Sequence, residues 1–328
     1  MDSPYRRELE AAISAAEIAA QISRTTLAAA SSDSTSAFDL VKDDLSPVTV
    51  ADFAIQALLT RTLGLAFSSD GFIGEESADE LRQNPALLTA VLDILVQVTG
   101  NAALFRDGAD LCDVIDSCAT VTPSTARRVW VFDPIDGTKT FIRHEQYAVN
   151  IALLDGGREV LSVVACPLMA EDVKAPVRDG SVDPTGRGCI LFGVRGMGLT
   201  CWELLDSGVD VVHKDVADRL GVEFPGSDLL GWVPRWAVMA LGAANMTVWV
   251  YKQRNRYAKV WDHAGAMLLF EEVGGKVTDV HGKDIDFKAG RKFENNFGFV
   301  AAPEKVHHLV LEAVQGTLKA KGREDLMG

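Results

Sequence analysis

The sequence predicts a layered α+β fold, and three observations predict it. Stretches with helical apolar spacing alternate with short runs rich in β-branched and aromatic residues. Neighbouring strands are joined mostly by glycine turns with hairpin chemistry rather than by long crossovers. No internal repeat or low-complexity tract interrupts the pattern. The 328 residues, 48% hydrophobic and 24% charged, suit one large unit or two intimately packed ones.

The elements follow in order. Residues 4 to 30 place Leu9, Ile13, Ala16, Ala20 and Leu27 at helical spacing, with Arg6, Glu10 and Glu17 between them, so the chain opens on an amphipathic helix. "SSDSTSAFD" reads as a loop. "SPVTVADFAIQALLTRTLGLAF" starts with turn chemistry and becomes a helix near Val50, with Asp52 in or just before its first turn. "GFIGEES" is a short strand ending at Glu75 and Glu76. "NPALLTAVLDILVQVTG" is a helix started by Asn84-Pro85. Val129 to Phe132 is a strand that runs into "DPIDGT". Asp155-Gly156-Gly157 and Gly196-Met197-Gly198 mark two hairpins. "WAVMALGAANMTVWVYK" is a helix then a strand, and "WDHAGAMLLFEEVGG" is a helix closed by Gly274-Gly275. "KVTDV" and "GFVAAP" are strands, and "PEKVHHLVLEAVQGTLKA" is the closing helix. A soft boundary at Cys166-Pro167 separates an N-terminal half, 1–166, from a C-terminal half, 167–328, within one packed unit.

Composition excludes some functions. A net charge of −14 opposes a nucleic-acid polymer as partner. A small anion remains compatible, because bound cations invert the local field. Cys112, Cys118, Cys166, Cys189 and Cys201 are scattered, an odd set that reads as reduced thiols. The first residues lack a secretory apolar core, no run is long enough to span a bilayer, and "EDLMG" matches no lipidation signal. The expectation is a soluble, cytoplasmic protein with no membrane partner.

Acidic residues cluster at element ends: Asp52, Glu75 with Glu76, Asp133 with Asp136, and Asp262. Hard divalent cations such as Mg2+ take such carboxylates together with water and substrate phosphate. In Asp-Pro-Ile-Asp the proline stiffens the turn. Gly137 permits close backbone approach, and Thr138 with the following amides forms a helix N-terminus suited to phosphate. Taken singly, each of these residues is equally well a helix cap or a solvated turn residue.

Taken together, "GEES" (74–77), "DPIDGT" (133–138) and "WDHAGA" (261–266) resemble the inositol monophosphatase superfamily of Mg2+-dependent, lithium-sensitive phosphatases, in the family's order. "SPVTVAD" (46–52), "DPIDGTKTFIRHEQYAV" (133–149) and "VACP" (164–167) look like its 3'(2'),5'-bisphosphate nucleotidase branch, which hydrolyses 3'-phosphoadenosine 5'-phosphate to AMP. The resemblance implies an α/β/α/β/α sandwich, a small phosphorylated metabolite as substrate, and a monomer or homodimer. It implies two- or three-metal activation of water. Glu75, Asp133 and the Ile135 carbonyl would hold a first Mg2+, and Asp133, Asp136 and Asp262 a second. Asp52 paired with Thr138 would orient or deprotonate the attacking water, and Glu76 would stand behind the metal or bridge to its water. Gly137 and Thr138 amides, with Lys139, would meet the phosphate.

The substrate side departs from that branch. Where its members carry Asp-Ser-x-x-Lys, this chain has Gly231, Trp232 and Arg235; Thr140 and His144 stand where glycine is usual. Arg235 remains a phosphate-binding cation, and Trp232 is a stacking candidate in the substrate loop. Trp236 and Trp249 read as core. His263 reads as a structural neighbour of Asp262, Glu271 and Glu272 as a solvated helix end, and Gly196 and Gly198 as either a phosphate loop or a hairpin turn. Three functions follow in order: a bisphosphate nucleotidase, a repurposed enzyme acting on a non-nucleotide aromatic metabolite in a specialised pathway, and a non-catalytic sensor.

Overall fold

The N-terminal amphipathic pattern becomes α1 (Arg6–Ser32), whose Ala12, Ala16, Ala19 and Ile22 are fully buried. The protein is seen here as a computed structural model that describes residues 3–32, 40–41, 47–48, 50–123, 126–170, 175, 177–183, 186–202, 230–251, 256–323 and 326. Most of the "SSDSTSAFD" stretch, parts of "SPVTVAD" and the substrate segment up to residue 229 lie outside the described residues.

After β1 (Leu40–Val41) and β2 (Pro47–Val48), an antiparallel pair, comes α2 (Val50–Ala66). Every residue of α2 from Val50 to Thr60 is buried, the pattern of a helix enclosed on all sides. Then follow β3 (Gly71–Gly74), α3 (Asp79–Gln83) and α4 (Pro85–Thr99). In α4 the Asn84 side chain accepts the Leu87 N–H, the start that the sequence predicts, and Gly100 closes the helix at φ 66°. The helix α5 (Gly108–Ser117), capped by Asp107, escapes the sequence reading. Next come β4 (Arg128–Asp136), α6 (Thr138–Ile142), β5 (Ala148–Asp155), β6 (Arg158–Cys166), β7 (Cys189–Val194) and β8 (Leu199–Trp202).

β3 to β8 form one six-stranded sheet in sequence order, with β3 parallel to β4 and the other pairs antiparallel. Its strands are apolar on both faces. Trp130, Phe132, Ile151 and Val163 face α1, α2 and α4, while Val129, Val131, Ala152 and Val164 face the opposite core. That alternation is the two-residue strand period, with both faces covered. The second core is built by α7 (Trp232–Ala240), β9 (Thr247–Trp249), α8 (Ala266–Glu272), β10 (Gly275–Thr278), β11 (Phe299–Pro303) and α9 (Glu304–Ala320). β10, β11 and β9 make a three-stranded antiparallel sheet, with α7 and α8 on one side and α9 on the other. The layers are α/β/α/β/α. β6 pairs with β7 across the Cys166-Pro167 boundary, so both halves of the chain share the large sheet.

Both predicted hairpins form. Gly196 and Gly198 turn the second one, and their N–H groups donate to the Glu272 carboxylate at 2.8 Å each. The turn reading therefore holds over a phosphate loop. Glu271 accepts from Arg195 at 3.0 Å, so Glu271 and Glu272 dock a hairpin rather than end a helix in solvent.

His144, between α6 and β5, has φ 57° and is the non-glycine residue of positive φ among the described residues. A position where the resemblance leads one to expect glycine is here a left-handed turn occupied by a side chain. We expect His144→Gly to raise stability by about 1 kcal/mol, read from urea unfolding, with secondary structure unchanged.

Candidate metal and phosphate site

Asp133 and Asp136 are three residues apart on one strand, and a regular strand would send them to opposite faces. β4 is not regular there. Asp133 pairs with Asn150 and Asp136 with Ala148, so three steps on β4 match two on β5. This bulge around Pro134-Ile135 turns both carboxylates to the same side. Proline, lacking an N–H, is at home where a ladder is interrupted. Gly137 follows at φ 92°, where a Cβ would lie 2.6 Å from Thr140 Oγ1 and 3.2 Å from the Gln146 carbonyl. α6 then starts at Thr138, whose hydroxyl donates to the Ile135 carbonyl at 3.2 Å.

Asp52, 2% exposed, sits in the first turn of α2. One turn on, the buried Gln56 side chain donates to the Glu76 carbonyl (2.9 Å) and accepts the Glu76 N–H (2.8 Å). This two-way amide bond fixes α2 against the end of β3, and so Asp52 against Glu75 and Glu76. It also demands Gly74, where a Cβ would meet the Gln56 amide at 2.5 Å.

The Asp262 turn (a single 3-10 turn, Val260–Asp262) is fastened to the large sheet. Asn150, the cross-strand neighbour of Asp133, donates to the carbonyls of Trp261 and Ala264 at 2.8 Å each. Glu159 on β6 accepts the Gly265 N–H at 2.5 Å. Gly265 is held so close that a Cβ would stand 2.8 Å from that of Ala152. His263 is fully buried; its Nδ1 accepts the Trp236 indole N–H at 3.0 Å, which leaves the ring proton on Nε2. Burial, then the Arg235 charge, pushes its pKa well down, so the ring is neutral and structural.

The carboxylates converge electrostatically. Asp133 is 1% exposed, and its Oδ1 meets no donor among the described residues. Burial pushes its pKa well up, and the charges of Glu75, Asp136, Asp262 and Asp52 push it further. Asp136 is raised to about 7 by burial and by Glu75, against the Val233 N–H and Arg235. Asp262 is raised by burial, Glu75 and Asp136, against Lys259. Like charges at this spacing repel, and among the described residues no three His, Cys, Asp or Glu side chains stand closed around a common point. A buried carboxylate with an unused oxygen, ringed by four others, is nevertheless an all-oxygen donor set of the kind Mg2+ takes.

The substrate-side residues gather on α7. The Asp136 carboxylate accepts the Val233 N–H at 2.7 Å, and a Cβ on Gly231 would lie 2.4 Å from the same oxygen. Arg235, 7% exposed, donates to the Leu230 carbonyl at 2.9 Å, while its buried Nε–H meets no acceptor among the described residues. Burial lowers its pKa to about 10, opposed by Asp136. Its guanidinium lies 4.1 Å from the centroid of Trp232, which also meets Trp249 at 4.4 Å and His263 at 4.8 Å. Trp236 is core, as the sequence reading expects. Lys139 is exposed at the start of α6.

Sequence reasoning missed Gln56, Asn150, Glu159, Lys259 and Arg291, all of which hold or face the site. Gln56 had a usable signal: it lies one helical turn from Asp52. The others act through cross-strand and loop contacts that no local pattern encodes.

The model of the inositol monophosphatase family matches residues 5–319. The chain is 29% identical to the 3'(2'),5'-bisphosphate nucleotidase of Schizosaccharomyces pombe, covering 94% of this chain and 95% of that protein. It is 30% identical to 3'(2'),5'-bisphosphate nucleotidase 1 of Candida albicans, covering 95% of each. Among solved structures, the extragenic suppressor protein suhB of Bartonella henselae superposes with a TM-score of 0.60 at 16% identity over 94% of this chain and 98% of that one. An inositol monophosphatase from Zymomonas mobilis gives 0.56 at 19% identity, over 95% and 99%. The chain belongs to the inositol monophosphatase family and is, with it, a phosphoric monoester hydrolase.

Proposed function

We propose that this chain is a Mg2+-dependent phosphomonoesterase of the cytoplasm whose first substrate is a 3'(2'),5'-bisphosphate nucleotide, converted to the nucleoside 5'-phosphate and inorganic phosphate. The observation that carries the reading is the buried Asp133 carboxylate, with one oxygen unused, in the combined field of Glu75, Asp136, Asp262 and Asp52. The nucleotidases named above, similar over nearly their whole length, support the substrate class. The buried thiols of Cys112 and Cys118 suit a reducing compartment.

In this reading Glu75, Asp133, the Ile135 carbonyl, Asp136 and Asp262 would hold Mg2+. When bound, Mg2+ supplies Lewis acidity and offsets the charge of the phosphoryl oxygens. The chain does the rest by position and proton handling. Asp52 and Thr138 orient the attacking water and take its proton, with Glu76 beside them. The N–H groups of Gly137 and Thr138, with Lys139 at the rim, receive the phosphoryl oxygens. Arg235 offers its unused Nε–H to a second phosphate, and Trp232 backs that guanidinium as its stacking platform. The N-terminal half, 1–166, thus supplies the water and most of the ligands, and the half 167–328 supplies Asp262 and the substrate contacts.

A second reading is a repurposed member acting on a non-nucleotide aromatic metabolite, by chemistry that need not be hydrolysis. It is favoured by Gly231, Trp232 and Arg235 at the departing positions.

The test is phosphate release from 3'-phosphoadenosine 5'-phosphate with and without Mg2+, beside Asp133→Asn. Fast Mg2+-dependent release, reduced by about a thousandfold or more in the variant, is expected. No release from the nucleotide, with turnover of an aromatic phosphate, selects the second reading; no release from a broad panel sinks both. Gly231→Ala is expected to lower kcat about tenfold or more with an unchanged circular dichroism spectrum, because the new methyl displaces the Asp136 carboxylate.

A further inference from the structure

Lys259 immediately precedes the Asp262 turn, as its N-terminal cap. Its ammonium stands 3.7 Å from Glu75 Oε1 and 5.3 Å from the Trp261 ring centroid. It therefore reaches from the Asp262 turn to a site carboxylate of the other half of the chain. The backbone beneath it is fixed. Lys259 forms an antiparallel bridge with Lys292, and the Val260 N–H donates to the Arg291 carbonyl at 3.0 Å. The same Trp261 ring carries the Arg291 guanidinium at 4.7 Å, and Arg291 donates to the carbonyls of Gly74 (2.7 Å) and Cys118 (2.9 Å). Two cations on one indole thus grip successive residues, Gly74 by its backbone and Glu75 by its side chain. Arg291 is committed to carbonyls. Lys259 has a flexible stem and a 40% exposed side chain, and it is the cation committed to a carboxylate.

An isolated pair of this length is worth little. Here its partner is one of the carboxylates named above as holding Mg2+, so the pair has a different consequence. We propose that Lys259 is a resident cation that competes with a divalent metal for Glu75, and so sets how tightly the centre loads. This rests on the reading of Glu75 as a metal ligand. A divalent ion bound there repels the ammonium and takes the oxygen it faces. Removing the ammonium leaves the carboxylates with less opposing charge and makes metal binding tighter. A purely structural lysine gives the opposite sign, because its loss loosens the ligands.

The experiment is Mn2+ binding to the full chain, followed by electron paramagnetic resonance of the free ion, in wild type, Lys259→Met, Lys259→Gln, Lys259→Arg and Asp133→Asn. Folding is checked by circular dichroism, and having two neutral variants guards against a folding defect in either. Expected is Mn2+ binding about three- to tenfold tighter in the neutral variants, with Lys259→Arg near wild type. Unchanged or weaker binding in the folded neutral variants overturns the proposal. Retention of all binding in Asp133→Asn overturns the metal reading beneath it. Binding lost in Asp133→Asn but indifferent to residue 259 sinks the lysine proposal alone.

Discussion

The site depends on one irregularity: the extra residue that β4 inserts between Asp133 and Asp136 opposite β5. The strand period of two would place residues three apart on opposite faces, one toward α2 and one toward α7. With the bulge, both carboxylates address the layer that also carries Asp262. Pro134 and Gly137 bracket the irregularity, one by lacking a donor and the other by adopting φ 92°. Without the bulge, Asp133 and Asp136 could not share a ligand.

Bringing five carboxylates together opposes folding, so their backbone must be held by something other than their own attraction. The structure does this with side chains from the rigid layers. Gln56 bonds both ways to Glu76, Asn150 donates to two carbonyls of the Asp262 turn, Glu159 receives Gly265, and Arg291 grips Gly74. Each bonds to main chain rather than to a carboxylate. Asp133 Oδ1 is thereby placed without meeting a donor among the described residues, the requirement for a site preorganised toward a cation. Asp136 and Glu75 differ, since one accepts the Val233 N–H and the other faces Lys259.

The sequence made the elements legible wherever period and punctuation agreed. Asn84-Pro85 started α4, and Gly156-Gly157 and Gly196-Met197-Gly198 turned the hairpins. It passed over α5, a helix of only ten residues, and it read Glu271 and Glu272 as solvated because their partners come from a hairpin 70-odd residues away. The site carboxylates were legible because they fall in compact motifs, though their roles rest on the family's pattern. The residues that aim them were not, since Asn150 and Arg291 act on main chain more than 100 residues away. His144 is an intermediate case: the odd residue was visible in the sequence, but only the backbone explains why glycine belongs there.

Substrate side and metal side are mechanically joined in this chain. α7 begins with Gly231 against the Asp136 carboxylate, Val233 donates to it, and Arg235 lies in its field while stacked on Trp232. A side chain at residue 231, as the nucleotidase pattern would place there, has no room unless Asp136 or the start of α7 moves. The tryptophan and the glycine are therefore one change rather than two. With no Cβ at 231, α7 approaches Asp136 closely, and Arg235 lies under cover, where its Nε–H meets no acceptor among the described residues. A buried, unused cationic donor costs free energy unless a ligand completes it. α7 thus joins two features in one backbone approach: its start packs against the Asp136 carboxylate, and its Arg235 is a buried guanidinium that a bound anion would complete.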